Sequence, residues 1–365
     1  MRRVEVVVIG AGQAGLSAAY HLRRLGAEPF VVLDANDAPG GAWQHRWDSL
    51  TMHDVHGVAD LPGRPLGDVD PVARANLVVP AYFEDYEHAF DLPVLRPVKV
   101  VSVTPVDDDP QGLLRVATTQ GEWLTRTLVN ATGTWDTPFR PYYPGIETFR
   151  GEQLHTADYT GPEQLAGRRV VVVGGGASAV QILGEISPVA RTTWVTRREP
   201  VWRTGPFDDD AGREAVARVE ERVSRGLPAR SVVSVTGLML RPQELRAAEL
   251  GAYERRPMFA RVEPDGVRWA DGTFEAADVI LWATGFRPSV GHLRPLRLRT
   301  PQGGIRLRAP FDRHTFTTAT ADARIHFVGY GPSASTIGAN RAGRVAARAA
   351  VELLRTPHRA APVAV

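Results

Sequence analysis

The feature that most constrains this 365-residue chain is a glycine-rich turn that occurs twice, each time between a run of β-branched residues and a helical pattern. The turn positions are Gly10, Gly12 and Gly15 in the first copy and Gly174, Gly176 and Ala179 in the second. In such a turn the first glycine permits a tight bend, the second lets the backbone approach a pyrophosphate, and the third lets helix and strand pack closely. The phosphates then meet free N–H groups at the positive end of the helix. Two copies therefore predict two bound dinucleotides.

The strand that follows each turn indicates which nucleotide each copy takes. The first such strand ends at Asp34, whose carboxylate can accept hydrogen bonds from both hydroxyls of an adenosine ribose. The second runs into Thr196, Arg197 and Arg198 with no acid, which suits a ribose that carries a 2′-phosphate. We therefore expect NADPH at the second copy, although a solvated turn would also account for the two arginines. The partner that accepts its hydride and stays bound is most simply a flavin, FAD.

An Ala-Thr-Gly triplet occurs at residues 131–133 and again at 283–285, each time at the end of an apolar strand. We interpret the pair as the two crossings between nested domains. The predicted fold class is α/β, with two nested Rossmann-like, three-layer dinucleotide-binding domains and the NADP domain inserted in the FAD domain. A small meander of strands is expected at residues 95–129. The predicted boundaries are 1–157 and 286–352 for the FAD domain, 158–285 for the NADP domain, and 353–365 for a flexible tail.

Composition excludes several other functions. The chain has no cysteine, so it cannot form disulfides, thiolate metal sites or a dithiol relay, and no metal site is expected. Forty-three basic residues against 41 acidic ones leave a net charge of +2, which gives no reason to expect nucleic acid. No apolar run approaches the ~18 residues needed to span a bilayer. We expect a cytoplasmic protein without a membrane or nucleic-acid partner, which can form a homodimer.

Further motifs give the chain a family resemblance. In chain order they are the first glycine turn, Gly40-Gly41-x-Trp43, the first Ala-Thr-Gly, Phe149-x-Gly151-x3-His155-x3-Tyr159, the second glycine turn, and Ala-Thr-Gly before Phe286. This order resembles the flavin-containing monooxygenases, in particular their short, soluble, single-chain bacterial members. The related Baeyer–Villiger enzymes carry Trp where this chain has Tyr159, which argues against them.

The resemblance implies a reaction. Hydride passes from NADPH to the flavin of FAD, and the reduced flavin forms a C4a-hydroperoxide with O2. That peroxide then oxygenates a nitrogen, sulfur or carbonyl carbon of a small organic substrate. The protein mainly orients the two cofactors and keeps water and stray protons away from the peroxide.

The resemblance also implies roles for the motif between the two glycine turns. Phe149, Gly151, His155 and Tyr159 would lie in the hinge beside the NADP domain, position the nicotinamide nucleotide and couple domain movement to the flavin. For His155 a packed linker histidine is the alternative interpretation.

In one loop the chain departs from the family pattern. The family usually has an asparagine near the flavin after Gly-Gly-x-Trp, and residues 44–74 contain none. His53 is the nearest polar substitute, and because histidine titrates near neutrality we expect a pH-dependent peroxide lifetime. The candidate catalytic residues are therefore His53, Asp54 and His155, although Asp54 is equally consistent with an ordinary loop residue.

The predicted cofactor contacts follow the motifs along the chain. They are Gly10, Gly12, Gln13, Ala14, Gly15, Asp34, Gly41, Ala42, Trp43, Val100, Ala131, Thr132, Gly133, Gly174, Gly176, Ala177, Ser178, Thr196, Arg197, Arg198, Ala283, Thr284, Gly285, Gly329 and Ile337. Val100 would lie near the adenine of FAD, and the helix that contains Ile337 would point its N-terminus at the flavin ring.

Two other functions remain open. A reductase or oxidase would pass electrons from NADPH to another acceptor, or to O2, without oxygenating a substrate. A reductase of the thioredoxin-reductase type shares the nested architecture but needs a dithiol, which this chain lacks. The remaining alternative is a sensor that binds flavin or NADPH without turnover.

Overall fold

The computed structural model describes residues 1–55, 57–203, 209–229, 237–308 and 316–355. The fold is α/β, with two five-stranded parallel sheets and two smaller sheets. The helices are α1 (Gln13–Arg24), α2 (Ala75–Ala89), α3 (Ala177–Ile186), α4 (Asp209–Ser224), α5 (Pro242–Glu249) and α6 (Thr336–Arg355). The strands are β1 (Arg2–Arg3), β2 (Val6–Ile9), β3 (Phe30–Leu33), β4 (Val94–Leu95), β5 (Val100–Pro105), β6 (Leu114–Thr118), β7 (Gly121–Thr125), β8 (Thr127–Asn130), β9 (Glu152–His155), β10 (Arg169–Val173), β11 (Arg191–Thr196), β12 (Arg255–Pro257), β13 (Arg261–Glu263), β14 (Gly266–Arg268), β15 (Phe274–Ala276), β16 (Val279–Trp282) and β17 (Ile325–Phe327).

The first parallel sheet has the strand order β17-β8-β2-β3-β4. Strand β2 at its centre is buried on both faces, as its β-branched sequence predicts. Val6 and Val8 pack toward α1, α2 and α6, whereas Val7 and Ile9 pack toward the sheet of β1, β5, β6 and β7. The latter sheet contains the predicted meander. The result is three layers, with helices on one side and a small sheet on the other.

The second parallel sheet repeats this arrangement in the order β12-β11-β10-β16-β9. Val170 and Val172 of β10 pack toward α3, while Val171 and Val173 pack toward the antiparallel sheet of β13, β14 and β15. Both parallel sheets therefore have the same three layers, and the predicted fold class is confirmed.

The two sheets are nested along the chain. The first sheet takes strands that end by residue 130 and a last strand at Ile325–Phe327, and the second takes strands between Glu152 and Trp282. The two crossings lie side by side, because the Phe139 N–H donates to the Gly285 carbonyl at 2.9 Å and the Ser289 N–H donates to the Gly133 carbonyl at 3.0 Å.

The predicted domain boundaries stay a prediction, and two elements bear on them. Strand β9 (Glu152–His155) pairs with β16 of the second sheet, which favours a first boundary before Glu152 instead of after residue 157. Helix α6 continues to Arg355, past the predicted start of the tail at residue 353, and residues 356–365 lie outside the described part of the chain. Among the described helices, none combines the length and the apolar composition that a bilayer span requires.

Candidate cofactor and active site

The first glycine turn packs tightly against the first crossing. Gly10 has φ +97°, and a Cβ there would lie 2.7 Å from the carbonyl oxygen of Ala131. A Cβ on Gly15 would lie 1.8 Å from the oxygen of Gly10. Only glycine fits these two positions, so the turn has the geometry that its spacing predicts.

The Gly-Gly-x-Trp loop lies on the start of α1. Gly12 is the N-cap of α1 and provides no side-chain cap for the first N–H groups of the helix. Gly41 has φ +53°, and a Cβ on it would lie 2.8 Å from the Gly12 Cα. Gly41 begins a 3₁₀ turn, Gly41–His45, which also contains the half-buried Ala42 and Trp43. The uncapped helix terminus under this loop is suited to a phosphate.

The N-terminal part of α6 contacts the N-terminal part of α1. Gln13 Nε2 donates to Asn340 Oδ1 at 2.8 Å, while Gln13 Oε1 is buried without a hydrogen-bond partner. A Cβ on Gly329 would lie 3.3 Å from the Cβ of Ala14. Ile337, in the first turn of α6, is 76% exposed. A buried acceptor without a donor and an exposed apolar side chain fit a ligand that supplies N–H or O–H groups and covers apolar surface.

Asp34 ends β3 as predicted, but it is already partnered. Its carboxylate is buried, accepts from Arg96 Nε at 3.0 Å, and accepts from Asn36 Nδ2 at 3.0 Å. Arg96 also donates to Glu87 Oε2 at 2.7 Å. A carboxylate has about four acceptor positions, so capacity for ribose hydroxyls remains. Nothing in the sequence identified Arg96, because it lies 62 residues from Asp34.

Val100 begins β5 and is buried. Its side chain belongs to the core between the first parallel sheet and the meander. Only its backbone could therefore meet an adenine, and that contact stays a prediction.

The second glycine turn repeats the first. Gly174 has φ +145°, and its Cβ would lie 2.1 Å from the carbonyl oxygen of Ala283. Ala283 thus has the same place in the second unit as Ala131 in the first. Gly176 is the N-cap of α3, and no heavy atom lies within 4 Å of where its Cβ would be. Together with the half-buried Ala177 and Ser178, which begin α3, it leaves open the space that a pyrophosphate needs.

The predicted 2′-phosphate contacts lie at the end of β11. Thr196 is buried; its hydroxyl donates to the Arg198 carbonyl at 2.7 Å and accepts from Arg255 Nε at 2.7 Å. Arg255 also pairs with Glu199, the nearest acid after the strand. The side chains of Arg197 and Arg198 are exposed, and neither has an ion-pair partner among the described residues. Arg255 is a residue that the sequence did not reveal.

Both Ala-Thr-Gly triplets end in a glycine with a left-handed backbone conformation, and the threonine hydroxyl of each triplet donates a hydrogen bond. Gly133 has φ +60° and Gly285 has φ +77°. The Thr132 hydroxyl donates to the Ser289 carbonyl at 2.6 Å, and the Thr284 hydroxyl donates to the Phe139 carbonyl. Each threonine therefore hydrogen-bonds its own crossing to the other crossing.

His155 holds the second crossing. Its ring is completely buried, and because carbonyl oxygens only accept, Nε2–H donates to Gly285 O at 3.0 Å. Nδ1 then accepts from the Ala157 N–H at 3.1 Å. Burial lowers the pKa of His155, which keeps the ring neutral. This geometry favours a positioning role over contact with a substrate.

The first two residues of the hinge motif, Phe149 and Gly151, lie just before β9 and contact its neighbours. A Cβ on Gly151 would lie 2.4 Å from the Asp278 carbonyl oxygen, so glycine lets the chain approach β16 as β9 begins. Phe149 packs against the core beneath the second sheet.

The last residue of the hinge motif, Tyr159, hydrogen-bonds to a half-buried acid. Tyr159 Oη donates to Glu185 Oε2 at 2.9 Å. Trp47 Nε1 donates to Glu185 Oε1 at 2.8 Å, and Ser49 Oγ donates to Oε2 at 2.5 Å. Burial raises the pKa of Glu185. The available sequence signal was that Gln181 and Glu185 are polar residues four positions apart on a mostly apolar helix.

The same face of α3 holds the loop that contains the catalytic candidates. Gln181 Nε2 donates to the Asp54 carbonyl at 2.8 Å, and the Asp54 carboxylate accepts from the Thr51 hydroxyl at 2.5 Å. His53 is exposed, and its backbone N–H donates to Pro71 O at 2.8 Å. None of the three predicted catalytic side chains hydrogen-bonds to another. His53 beside the flavin stays a prediction.

A column of aromatic rings connects the Gly-Gly-x-Trp loop to the hinge. His45 stacks on Trp135 with 5.7 Å between ring centroids, and Trp135 stacks on Phe286 at 5.0 Å. Phe286 then meets the ring of His155 edge-on at 4.8 Å. The column joins the first crossing to the second beside the loop on α1.

Comparisons with known proteins agree with this architecture. Residues 7–222 match the family model described as pyridine nucleotide-disulphide oxidoreductase. A solved flavin-containing monooxygenase from Stenotrophomonas maltophilia is 40% identical, with 96% of this chain and 99% of that chain covered at a TM-score of 0.80.

Curated relatives match over shorter segments. An uncharacterized oxidoreductase CzcO from Bacillus velezensis is 32% identical over 54% of this chain and 59% of that protein. A Baeyer-Villiger monooxygenase from Streptomyces coelicolor is 31% identical over 73% of this chain and 52% of its own length. The chain thus spans about half the length of the curated relatives that it matches. With two repeated dinucleotide cradles and a full-length structural match, this chain belongs to the flavin-containing monooxygenase family, a group of FAD- and NADPH-dependent oxidoreductases.

Proposed function

We propose that this protein is an FAD-dependent monooxygenase that uses NADPH and O2 to oxygenate a nitrogen, sulfur or carbonyl carbon of a small organic substrate. The observation that carries the proposal is the duplicated cradle. In each unit a left-handed glycine meets the carbonyl of an Ala-Thr-Gly crossing, Gly10 with Ala131 and Gly174 with Ala283. Because the two crossings are hydrogen-bonded to each other, the nucleotides held at the two cradles would share one interface.

The residues of the first unit fit FAD. The uncapped start of α1 at Gly12 would present free N–H groups to a pyrophosphate, and Asp34 keeps acceptor capacity for ribose hydroxyls. Gln13 provides a buried acceptor that lacks a donor. When bound, FAD supplies the ring that accepts hydride and reacts with oxygen.

The residues of the second unit fit NADPH. Gly174, Gly176 and Ser178 would hold the pyrophosphate, and Arg197 and Arg198 would bind the 2′-phosphate. Thr196 and Arg255 fix the backbone from which these two arginines project. The carboxylate of Glu199 is paired with Arg255, which reduces its repulsion of a phosphate.

Other residues of the chain would position the two nucleotide units relative to each other and keep protons away from the reaction site. The buried His155 hydrogen-bonds to the second crossing, and because its ring is neutral it places no charged proton donor there. Glu185 and Gln181 of α3 hold the loop that contains His53, so movement of the second unit would move this loop. A reductase or oxidase that does not oxygenate its substrate is the second candidate. A cytoplasmic location and a homodimer also remain proposals.

Anaerobic reduction of the purified protein by NADPH, followed by addition of O2, tests this function. We expect the visible absorbance of the oxidised flavin to bleach with NADPH and to return with O2. With a panel of amines, sulfides and ketones, product formation should match NADPH consumed. Oxygen uptake that yields only hydrogen peroxide with every substrate would support the oxidase instead, and a protein that neither holds FAD nor oxidises NADPH would refute both.

A further inference from the structure

Arg46 is a half-buried cation without an anionic partner among the described residues. Its guanidinium lies 5.7 Å from the ring centroid of Trp43 and 5.1 Å from that of Trp135. Its Nε is buried and donates to no acceptor. Burial lowers the pKa of Arg46, and no carboxylate offsets that effect. Among the described residues no hydrogen bond or ion pair engages its guanidinium.

A guanidinium has five N–H donors, and burying one of them, Nε, without an acceptor is unfavourable. The two indoles interact favourably with its faces. They cannot accept the in-plane hydrogen bonds, which point outward from the edge of the guanidinium. An arginine that lies beside two aromatic rings, with no hydrogen bond to the edge of its guanidinium, is suited to receive a planar oxyanion.

The position of Arg46 relates it to the reaction site. Its loop begins at Gly41, which contacts Gly12 at the start of α1, and Trp135 follows the first Ala-Thr-Gly crossing. The anionic groups expected of the two cofactors already have other sites, at the two glycine turns and at the end of β11. An oxyanion at Arg46 would therefore belong to a third molecule held between the Gly-Gly-x-Trp loop and the crossing.

We propose that Arg46 binds a carboxylate of the substrate, so that the preferred substrates are small organic acids with an oxidisable heteroatom or carbonyl. This inference rests on the proposed function only where it calls the bound acid a substrate. Binding of the acid itself does not require turnover. Trp43 and Trp135 fix the guanidinium plane, and the apolar body of the acid would contact neighbouring aromatic rings such as Phe286.

A matched pair of ligands tests the inference: 4-(methylthio)benzoate and its uncharged methyl ester. Binding of each to the FAD-loaded protein is measured by calorimetry without NADPH, so that no catalysis occurs. We expect the carboxylate to bind about 10- to 100-fold more tightly than the ester, as a charge-assisted hydrogen bond gives. Arg46→Gln should abolish this preference, while Arg46→Lys, which keeps the charge but loses the planar fork, should retain part of it. Arg74→Gln is the control, because this arginine is exposed and pairs with Asp48.

Three results would overturn the inference. The first is equal affinity of the wild-type protein for acid and ester. The second is a preference that survives in Arg46→Gln. The third is an Arg46→Gln protein that binds NADPH at least about tenfold more weakly than the wild-type protein does, since the oxyanion at Arg46 would then be a coenzyme phosphate. If the acid binds as expected and no product forms with NADPH and O2, the proposed oxygenation fails while the anion site stands.

Discussion

The phenol of Tyr159 donates a 2.9 Å hydrogen bond to Oε2 of Glu185. This bond joins the hinge to α3, and the same carboxylate also receives Trp47 and Ser49 from the loop after Gly-Gly-x-Trp. One acid thereby ties together the hinge, the second dinucleotide unit and a loop of the first. The hydroxyl of Tyr159 is engaged there, which favours an indirect effect of this residue on the nicotinamide nucleotide.

Replacement of Tyr159 by Phe should weaken this junction. The ring contact with Trp47 at 5.8 Å is kept, but Glu185 loses one of three donors. We expect the free energy of unfolding to fall by about 1.5–3 kcal/mol, as loss of a hydrogen bond to a carboxylate does. The rate of flavin reduction by NADPH should fall as well, because the loop is held less firmly. Urea denaturation and stopped-flow absorbance measure the two effects. The matched control is Tyr142→Phe at a site that is 73% exposed, and an equal loss in both variants would contradict this role.

Two glycines of the second turn should respond differently to alanine. Gly176→Ala adds a Cβ where no atom lies within 4 Å, so the protein should fold and keep its FAD. The methyl group would nevertheless occupy the space for the pyrophosphate, and KM for NADPH should rise by about tenfold or more. Gly174→Ala places a Cβ 2.1 Å from Ala283 O and should cost about 3 kcal/mol of stability. Thermal unfolding and steady-state kinetics separate the two outcomes; unchanged KM in Gly176→Ala would argue against a nucleotide there.

Arg197→Ala tests the choice between the two nicotinamide coenzymes. Removal of a guanidinium that binds a phosphate should raise KM for NADPH about 10- to 100-fold. KM for NADH, which lacks the 2′-phosphate, should change little. Arg191→Ala serves as the control, because it is exposed at the other end of the same strand. An equal change in KM for both coenzymes would show that Arg197 does not bind the 2′-phosphate.

The half-buried His292 should make the stability of the protein depend on pH. Its Nε2–H donates to Asn130 Oδ1 at 2.7 Å, and burial lowers the pKa of His292 to about 4. The unfolded chain, with its ordinary value of 6.5, binds the proton more readily between pH 6.5 and 4, so stability is lost as the pH falls through that range. In His292→Gln the slope between pH 6 and 5 should fall by about 1 kcal/mol per pH unit. Urea denaturation at several pH values measures it.

The control for this experiment is His88→Gln, an exposed site on α2. His21 and His326 also have pKa values that burial lowers to about 4, so the variant removes one contribution and leaves a residual slope. A slope in His292→Gln that equals the slope of the wild-type protein would mean that His292 takes up its proton without unfolding.

Several features could be predicted from the sequence because they depend on neighbouring residues. The spacing of Gly10, Gly12 and Gly15 sets a tight turn between a strand and a helix, and Asp34 ends the next strand. The repeated Ala-Thr-Gly triplets indicated the nested arrangement for the same reason, since each one ends a strand of its own sheet.

The tertiary structure alone decided which distant side chains meet around those turns. Trp47 and Glu185 are 138 residues apart, and Arg96 reaches Asp34 across 62. His155 could be interpreted as a hinge residue from the sequence, but its tautomer follows from the Gly285 carbonyl and its neutral state follows from burial, which lowers its pKa. The physical reason is that local spacing fixes backbone geometry, whereas burial and partners set the charge and hydrogen bonding of each group, and these depend on how the two sheets pack.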